Sequence, residues 1–267
     1  MSPAALAGPG SDPPTPFPAA VAIVPARLGS TRLPRKMLLD ATGLPLFAHT
    51  VQNAERCRAF ERVVLAADDD EIVRRAEDLG IDTVATDPAH QSGTDRVGEA
   101  LAILEEREGP RWEVVVGVQG DEPELSPLDL EDLVARFADE EVEAATLWSP
   151  LPAARADDPS AVKLVSDRRG RALYFSRAAV PALGHGGEPC ERKLHVGVYA
   201  FRPTALRDFL ALRTSELERS ERLEQLRWLE AGREMHVVRA RHAGAGIDTE
   251  PDYRAFVERT RARDRRS

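Results

Sequence analysis

Short apolar runs alternate with amphipathic stretches through the first half of the chain, and this alternation constrains the fold most. Strands are predicted over residues 21–24, 62–67, 82–85 and 113–119, where β-branched residues dominate. Helices are predicted near 45–58, 70–79 and 94–107, from apolar residues three and four apart. Near-continuous apolar strands separated by helices are typical of a parallel sheet covered on both faces. The predicted fold class is therefore α/β, with a mostly parallel sheet.

The pattern changes beyond residue 150. A hairpin is predicted from strands 162–166 and 172–175, which flank the turn Asp167–Gly170. A Gly-rich loop over 182–193 precedes a strand at 196–201. Helices at 204–212 and 217–231, a strand at 235–240 and a helix from about 250 complete the chain. We interpret this as a change of topology within one domain.

The two ends of the chain differ from its centre. Residues 1–20 contain six prolines and few large apolar groups, so we expect a disordered tail there. Folded structure should begin at Val21, because the first strand starts there. Residues 259–267 are rich in arginine and are predicted to form a basic tail outside a domain spanning 21–258.

Charge and composition exclude several classes of protein. The chain has 36 basic and 45 acidic residues, which gives a net charge of −9 and argues against nucleic-acid binding. No apolar run is long enough to insert into a membrane. The first basic residue is Arg27, so the positive region of a secretory signal is absent. Two cysteines, Cys57 and Cys190, favour a cytoplasmic location.

A basic loop follows the first strand. Arg27, Arg32, Arg35 and Lys36 fall within ten residues on this acidic chain. Ligands of open α/β sheets bind at the carboxyl ends of strands, where this loop begins. Arginine and lysine make charge-assisted hydrogen bonds to phosphate, so the loop predicts a phosphate site. The chain lacks the Walker A and Gly-x-Gly-x-x-Gly motifs, and a merely solvated basic surface is the alternative.

Several segments together resemble one family of enzymes. Pro25–Pro34 with Lys36 resembles the opening motif of sugar-activating cytidylyltransferases, and more narrowly of the 3-deoxy-manno-octulosonate (Kdo) cytidylyltransferase family. Further matching segments follow in the family's order at residues 90–96, 118–123, 172–177, 195–199, 223–227 and 246–249. The resemblance spans residues 21 to about 258, which is nearly the whole chain outside its two ends.

The resemblance implies a fold, a reaction and partners. The fold would be a Rossmann-like sheet of the nucleotide-diphospho-sugar transferase type. Residues 21–150 would form its nucleotide-binding half, and 151–258 a smaller half for sugar binding and dimerisation. The enzyme would transfer CMP from CTP to Kdo, releasing pyrophosphate and forming CMP-Kdo for lipopolysaccharide synthesis. It would use Mg²⁺ as its cofactor and act as a homodimer.

The nucleotide-binding residues implied by the resemblance lie in three segments. They are Pro25, Arg27, Gly29, Ser30, Arg32, Lys36, Gln91, Ser92, Gly93, Arg96 and Gln119. Arg32 and Lys36 would also be catalytic, because phosphoryl transfer depends on positioning and charge neutralisation. An alternative for the second segment is that Thr94 caps the helix that follows.

Two aspartates are the implied metal ligands and catalytic carboxylates. Asp121 follows the apolar strand at 113–119, and Asp248 lies far downstream beside it in the family. Two carboxylates with phosphate oxygens suit Mg²⁺, which rarely has an all-protein site. As alternatives, Asp121 would be a turn residue and Asp248 the N-cap of the last helix.

The sugar carries a carboxylate and several hydroxyls, so its site needs a cation and hydrogen-bonding groups. By resemblance these are Gln119, Arg177, His195, Tyr199, Glu221 and Gln225. Glu218 and Glu224 compete with Glu221 for its role. The chain departs from the family's motif at Arg35 and Met37, and the loop at 182–193 is individual.

Other functions are compatible with parts of this pattern. The acceptor could be another acid sugar, such as a sialate or 8-amino-Kdo, or the enzyme could be of the spore-coat polysaccharide type. A regulatory module that binds nucleotide without turnover is a further alternative. Lys36, Asp121 and Asp248 argue against it, because binding alone does not require metal carboxylates.

Overall fold

The helices and strands largely follow the predicted alternation. The structure is a computed structural model that describes residues 17–188, 190–241 and 246–265. Within these ranges the strands are β1 (Ala20–Ala26), β2 (Phe60–Ala67), β3 (Thr83–Ala85), β4 (Val114–Gly117), β5 (Ala144–Pro150), β6 (Lys163–Ser166), β7 (Ala172–Ser176), β8 (Lys193–Phe201) and β9 (His236–Arg239). The helices are α1 (Leu46–Ala54), α2 (Asp70–Asp78), α3 (Gly93–Glu108), α4 (Pro127–Ala135), α5 (Pro203–Ala211), α6 (Glu216–Glu221), α7 (Leu226–Glu230) and α8 (Glu250–Asp264). Over the same ranges, every helix is too short or too polar to cross a membrane.

One sheet joins all the strands that the structure describes. Its order is β3-β2-β1-β4-β8-β5-β9, and the β6–β7 hairpin attaches to β8. The first four strands are mutually parallel and β5 is parallel to β9, whereas β8 is antiparallel to β4 and β5. The predicted α/β class with a mostly parallel sheet is confirmed.

The insertion of β8 beside β4 brings the second half of the chain against the strands of the first half. Tyr199 of β8 pairs with Gly117, the last residue of β4. Because the two strands are antiparallel, the residues of β8 before Tyr199 continue past the carboxyl end of β4. His195 therefore lies at the edge of the sheet where the basic loop leaves β1.

Helices cover both faces of the sheet, as predicted. Along β1, Ala22 and Val24 face one core and Val21 and Ile23 face the other, and all four are fully buried. The first core contains side chains of α1, α2 and α4. The second contains side chains of α3, α5 and α7. Because apolar side chains are buried on both faces of the sheet, the sequence of a central strand is a continuous hydrophobic run.

The structure differs from the sequence prediction in three elements. Helix α4 and strand β5 were not predicted, although Ser126-Pro127 is a common helix start. The single helix predicted over 217–231 is wrong, because the chain breaks between α6 and α7. Arg222 there adopts the left-handed conformation (φ 57°), and its N–H closes the end of α6 on the Glu218 carbonyl at 2.7 Å. This turn contains no Gly or Pro, so the hydrophobic periodicity of the sequence did not predict a break in the helix there.

The ends of the chain also differ from the prediction. Residues 1–16 of the predicted disordered tail lie outside the described residues, and β1 already begins at Ala20. Most of the predicted basic tail is helical, because α8 continues to Asp264. Arg259 and Arg263 of this helix both donate to Glu124, whose side chain is 10% exposed. These arginines therefore fasten α8 to the loop after β4.

Candidate active site

A cavity of about 300 Å³ opens at the carboxyl ends of β1 and β4. Its walls are Pro25, Arg27, Gly29, Ser30, Thr31, Arg32, Lys36, Met37, His90, Gln91, Ser92, Gly93, Arg96, Gln119, Gly120, Asp121 and Asp248. Every residue predicted to bind nucleotide belongs to this set, as do both predicted metal ligands. The edge of the sheet brings together segments that are far apart in the chain, as expected for an open α/β sheet.

Two cations and two carboxylates that line this cavity form a network of ion pairs. The Lys36 ammonium donates to Asp121 Oδ2, to Asp248 Oδ1 at 3.4 Å and to the Ile247 carbonyl at 2.8 Å. Arg32 Nη2 lies 2.8 Å from Asp248 Oδ1. Lys36 is only 8% exposed, so these carboxylates stabilise a charge that would otherwise be costly to bury. We call these four side chains the charge cluster.

The structure bears differently on the structural alternatives for the two aspartates. Thr249, not Asp248, is the N-cap of α8, and it forms a capping box with Asp252. The alternative that Asp248 is an N-cap is therefore wrong, and its carboxylate faces Lys36 and Arg32 instead. Asp121 likewise directs its carboxylate to Lys36, besides its place in the turn after β4.

The segment at the start of α3 is held in place by a helix cap and by a close contact with Gln119. Ser92 is the N-cap of α3, with a capping box to Asp95, so the alternative of a Thr94 cap is wrong. Thr94 instead donates to the partly buried carboxylate of Glu224. On the other side Gly93 lies against Gln119, where an added Cβ would come within 2.9 Å of Oε1. Any larger residue at this position would displace Gln119.

Glu122 is a site residue that sequence reasoning missed. Its Oε2 atom is buried and has no hydrogen-bond partner among the described residues. Burial, with the nearby carboxylates of Asp121 and Asp248, raises the pKa of Glu122 to about 8, partly opposed by Lys36. The carboxyl group is thus largely protonated at neutral pH. The sequence feature that could have identified Glu122 is its position directly after Asp121.

A second cavity, of about 570 Å³, adjoins the first and shares Arg32 and Asp248 with it. It is lined by Arg32, Glu122, Arg155, Asp158, Ser160, Ala161, Val162, Leu194, His195, Val196, Gly197, Gly246, Asp248, Thr249 and Asp252. Of the residues predicted to bind sugar, His195 lines this cavity and Gln119 lines the first. Arg155 and Asp158 were not predicted, and they form an ion pair at 3.2 Å.

His195 and Tyr199 lie on one face of β8 with their ring centroids 5.4 Å apart. His195 Nε2 is 2.9 Å from Thr146 Oγ1, and burial lowers the pKa of His195 to about 3. Burial also raises the pKa of Tyr199. Both side chains are therefore uncharged at neutral pH and can offer only neutral hydrogen bonds.

The other predicted sugar residues are engaged with the protein. Arg177 donates to the carbonyls of Glu221, Pro159 and Arg222 at 2.7, 2.9 and 3.4 Å. Glu221 accepts from Ser176 Oγ and from the Arg177 N–H at 2.6 and 2.9 Å. Gln225 is 2% exposed, and its Nε2 has no partner among the described residues. None of these three lines either cavity, so their sugar contacts stay a prediction.

The charge cluster contains two carboxylates, the type of ligand that a hard divalent cation prefers. Asp121 and Asp248 both reach the single ammonium of Lys36, so their oxygens can converge on one cation. Across the described residues, no group of three or more His, Cys, Asp or Glu could hold a metal. Two carboxylates are enough for Mg²⁺ when phosphates and waters complete its shell.

Known proteins of one enzyme class resemble this chain over most of its length. The family model described as cytidylyltransferase matches residues 21–235. A 3-deoxy-manno-octulosonate cytidylyltransferase from Nitratidesulfovibrio vulgaris is 45% identical over 245 residues, covering 91% of this chain and 96% of the relative. One from Anaeromyxobacter dehalogenans is 44% identical over 240 residues, covering 90% and 95%.

Solved structures give the same result. A CMP:2-keto-3-deoxy-manno-octonic acid synthetase complexed with CTP is 34% identical and superimposes with a TM-score of 0.85, covering 92% of this chain and 99% of that one. A 4-diphosphocytidyl-2C-methyl-D-erythritol synthase from Anaerococcus prevotii, at 15% identity and a TM-score of 0.60, shares the fold. From the motifs, the fold and these relatives, we conclude that the chain belongs to the 3-deoxy-manno-octulosonate cytidylyltransferase family.

Proposed function

We propose that this protein transfers CMP from CTP to Kdo. A hydroxyl oxygen of the sugar acid attacks the α-phosphorus of CTP, forming a new P–O bond, and the proton of that hydroxyl passes to water. The bond from that phosphorus to the bridging oxygen breaks, and pyrophosphate leaves. The observation that carries the proposal is the charge cluster, where two cations and two carboxylates meet between two adjoining cavities.

The first cavity suits the nucleotide. Arg27, Arg32 and Lys36 offer positive charge to a triphosphate, and Gly29 and Ser30 line the same wall. Arginine can bind two phosphate oxygens at once, whereas lysine acts as a compact point charge. Gln91, Ser92 and Gly93 would line the base.

The carboxylates of the charge cluster suit a divalent cation, which we propose is Mg²⁺. Asp121 and Asp248 would hold it, and Lys36 and Arg32 would then be free to pair with phosphate oxygens. When bound, such an ion lowers the pKa of an attacking hydroxyl and neutralises charge on the leaving pyrophosphate.

The second cavity suits the sugar acid. It shares Arg32 and Asp248 with the first, so a hydroxyl bound in it can approach the α-phosphate. Arg155 adds a cation for a carboxylate, and Ser160 and His195 add uncharged polar groups for sugar hydroxyls. Phosphoryl transfer requires this kind of positioning more than it requires covalent participation by the protein.

The assay is pyrophosphate release with each of the four nucleoside triphosphates, with and without Kdo, 8-amino-Kdo or sialate. We expect Mg²⁺-dependent release with CTP and Kdo together, and little with either alone. If another acid sugar is preferred over Kdo, the protein is a cytidylyltransferase that uses that sugar as its acceptor. Nucleotide binding without release under any combination would favour the regulatory module.

We further propose a homodimer located in the cytoplasm. Within the described sheet, strand β7 has β6 as its ladder partner, only its first residue Ala172 donates on the other side, to the Met235 carbonyl at 2.8 Å, and its Leu173 side chain is 61% exposed. An exposed leucine on a strand whose outer edge is paired only at its start is suited to contact with a second copy. Cys57 and Cys190 are both free thiols, which supports a reducing compartment. Sedimentation equilibrium should give twice the chain mass, and a monomer at micromolar concentration would contradict the dimer.

A further inference from the structure

A single carboxylate, that of Asp68, joins the two loops that form the first cavity. Asp68 follows the last residue of β2, at the same edge of the sheet as the basic loop. Its Oδ1 accepts from the Leu28 N–H at 3.0 Å, in the loop after β1. Its Oδ2 accepts from Arg96 Nη2 at 3.2 Å, in the first turns of α3. The side chain is only 12% exposed, so water does not readily replace either bond.

Arg96 is held by the same edge of the sheet. Its side chain is 3% exposed, and Nη1 donates to Thr86 Oγ1 at 2.6 Å and to the Asp87 carbonyl at 3.3 Å. Thr86 in turn donates to the Ala67 carbonyl, at the end of β2, at 3.0 Å. A buried guanidinium keeps its charge, so it needs a nearby carboxylate. Asp68 is the carboxylate with which Arg96 forms an ion pair.

These contacts give Arg96 a structural role, in addition to the contact with the base that the resemblance implies. Its guanidinium anchors the start of α3, and Ser92 and Gly93 precede it in the segment that lines the cavity. Leu28 lies between Arg27 and Gly29, which line the opposite wall. The Asp68 carboxylate therefore spans from the wall expected to bind triphosphate to the wall expected to bind the base.

We propose that Asp68 is a positioning residue that sets the separation of these two walls and so helps to select the nucleotide. The proposal rests on the proposed function, in which both walls bind one CTP molecule. The triphosphate and the base are joined covalently, so the edge of the base that distinguishes cytosine from uracil meets the polar groups of the Ser92–Gly93 segment only when the two walls lie at a matching distance. Displacements near 1 Å in such positioning groups can cost about a hundredfold in rate.

Asp68→Asn is the first variant to test. It keeps an oxygen for the Leu28 N–H but removes the charge opposite Arg96. We expect KM for CTP to rise about tenfold, as for loss of a charge-assisted hydrogen bond. KM for Kdo should not change, and the preference for CTP over UTP in kcat/KM should fall severalfold. Asp68→Ala, which also loses the bond to Leu28, should show larger changes in the same direction.

Asp82→Asn is the matched control. Asp82 pairs with Arg62 at 2.6 Å, near the opposite ends of β2 and β3 and far from both walls. This variant removes an Asp–Arg pair at the other end of β2, and we expect both KM values and the nucleotide preference to stay at their wild-type values. Thermal midpoints of all variants are measured alongside, and the kinetics are run well below the lowest midpoint.

Two results would overturn the proposal. One is an unchanged CTP-over-UTP preference in both Asp68 variants, and the other is an equal loss in the Asp82 control. Binding of CTP and UTP to the same variants is measured separately by calorimetry. If the wild-type protein binds CTP but does not form CMP-Kdo, the proposed function fails, while the binding preference still tests Asp68.

Discussion

Asp121→Asn and Asp248→Asn are each expected to lower kcat by about a thousandfold, with little change in thermal midpoint. Asparagine keeps the shape of the side chain and one oxygen but removes the negative charge. Loss of charge stabilisation at a metal-assisted phosphoryl transfer costs several kcal/mol, and each 1.36 kcal/mol is tenfold in rate. The fold should tolerate both changes, because Asp248 does not cap α8 and Lys36 keeps a carboxylate and the Ile247 carbonyl in either variant.

The measurement is the initial rate of pyrophosphate release as Mg²⁺ is varied. Binding of Mn²⁺ to each variant, followed by its paramagnetic effect on water relaxation, gives a readout that does not depend on turnover. Asp78→Asn on the exposed surface of α2 is the control, with wild-type behaviour expected. A large fall in thermal midpoint with metal binding retained would show that the aspartate is structural.

Lys36→Met is expected to lower kcat/KM for CTP by about a hundredfold or more. Methionine keeps most of the buried stem of lysine but removes the ammonium that would stabilise charge developing on the phosphates. Loss of a single polar group that stabilises the transition state typically lowers the rate by about a hundredfold to a thousandfold. The variant also leaves Asp121 and Asp248 facing each other without the cation that now lies between them. We therefore expect a lower thermal midpoint in the absence of divalent ions.

Added Mg²⁺ should restore that stability, because a divalent cation would relieve the repulsion between the two carboxylates. The expected result is a larger Mg²⁺-induced rise in thermal midpoint for Lys36→Met than for the wild type. Arg35→Asn is the control, since Arg35 pairs with Glu71 outside the cavity and asparagine tolerates its left-handed backbone (φ 56°). Equal responses to Mg²⁺ in all three proteins would contradict this role of Lys36.

Much of the first cavity could be predicted because its residues occupy short motifs at strand ends. Arg27, Arg32 and Lys36 follow β1, and Asp121 follows β4. Parallel strands bring their carboxyl ends to one edge, so residues at several strand ends are expected to meet. The motifs thus predicted which residues lie together, although no motif measured a distance between them.

The second cavity, which we propose binds the sugar, was predicted less well, since its residues depend on how the second half folds back. Arg177 was predicted from charge and motif to bind a carboxylate, yet in the structure it donates to three backbone carbonyls. Arg155 and Asp158 line the second cavity but stand in no motif. Glu221 ends α6, just before the left-handed turn at Arg222 that separates it from α7, and periodicity had suggested one continuous helix.

The sequence by itself determined the α/β class, the family and most residues that line the first cavity, because these depend on local patterns and short motifs. Only the tertiary structure decided their partners. Lys36 and Asp248 are 212 positions apart, and Asp68 reaches Leu28 and Arg96 across 40 and 28 positions. Such contacts arise from the order of strands in the sheet, where β8 enters between β4 and β5. Hydrophobic periodicity predicts that a strand forms, but it does not determine which neighbour the strand pairs with.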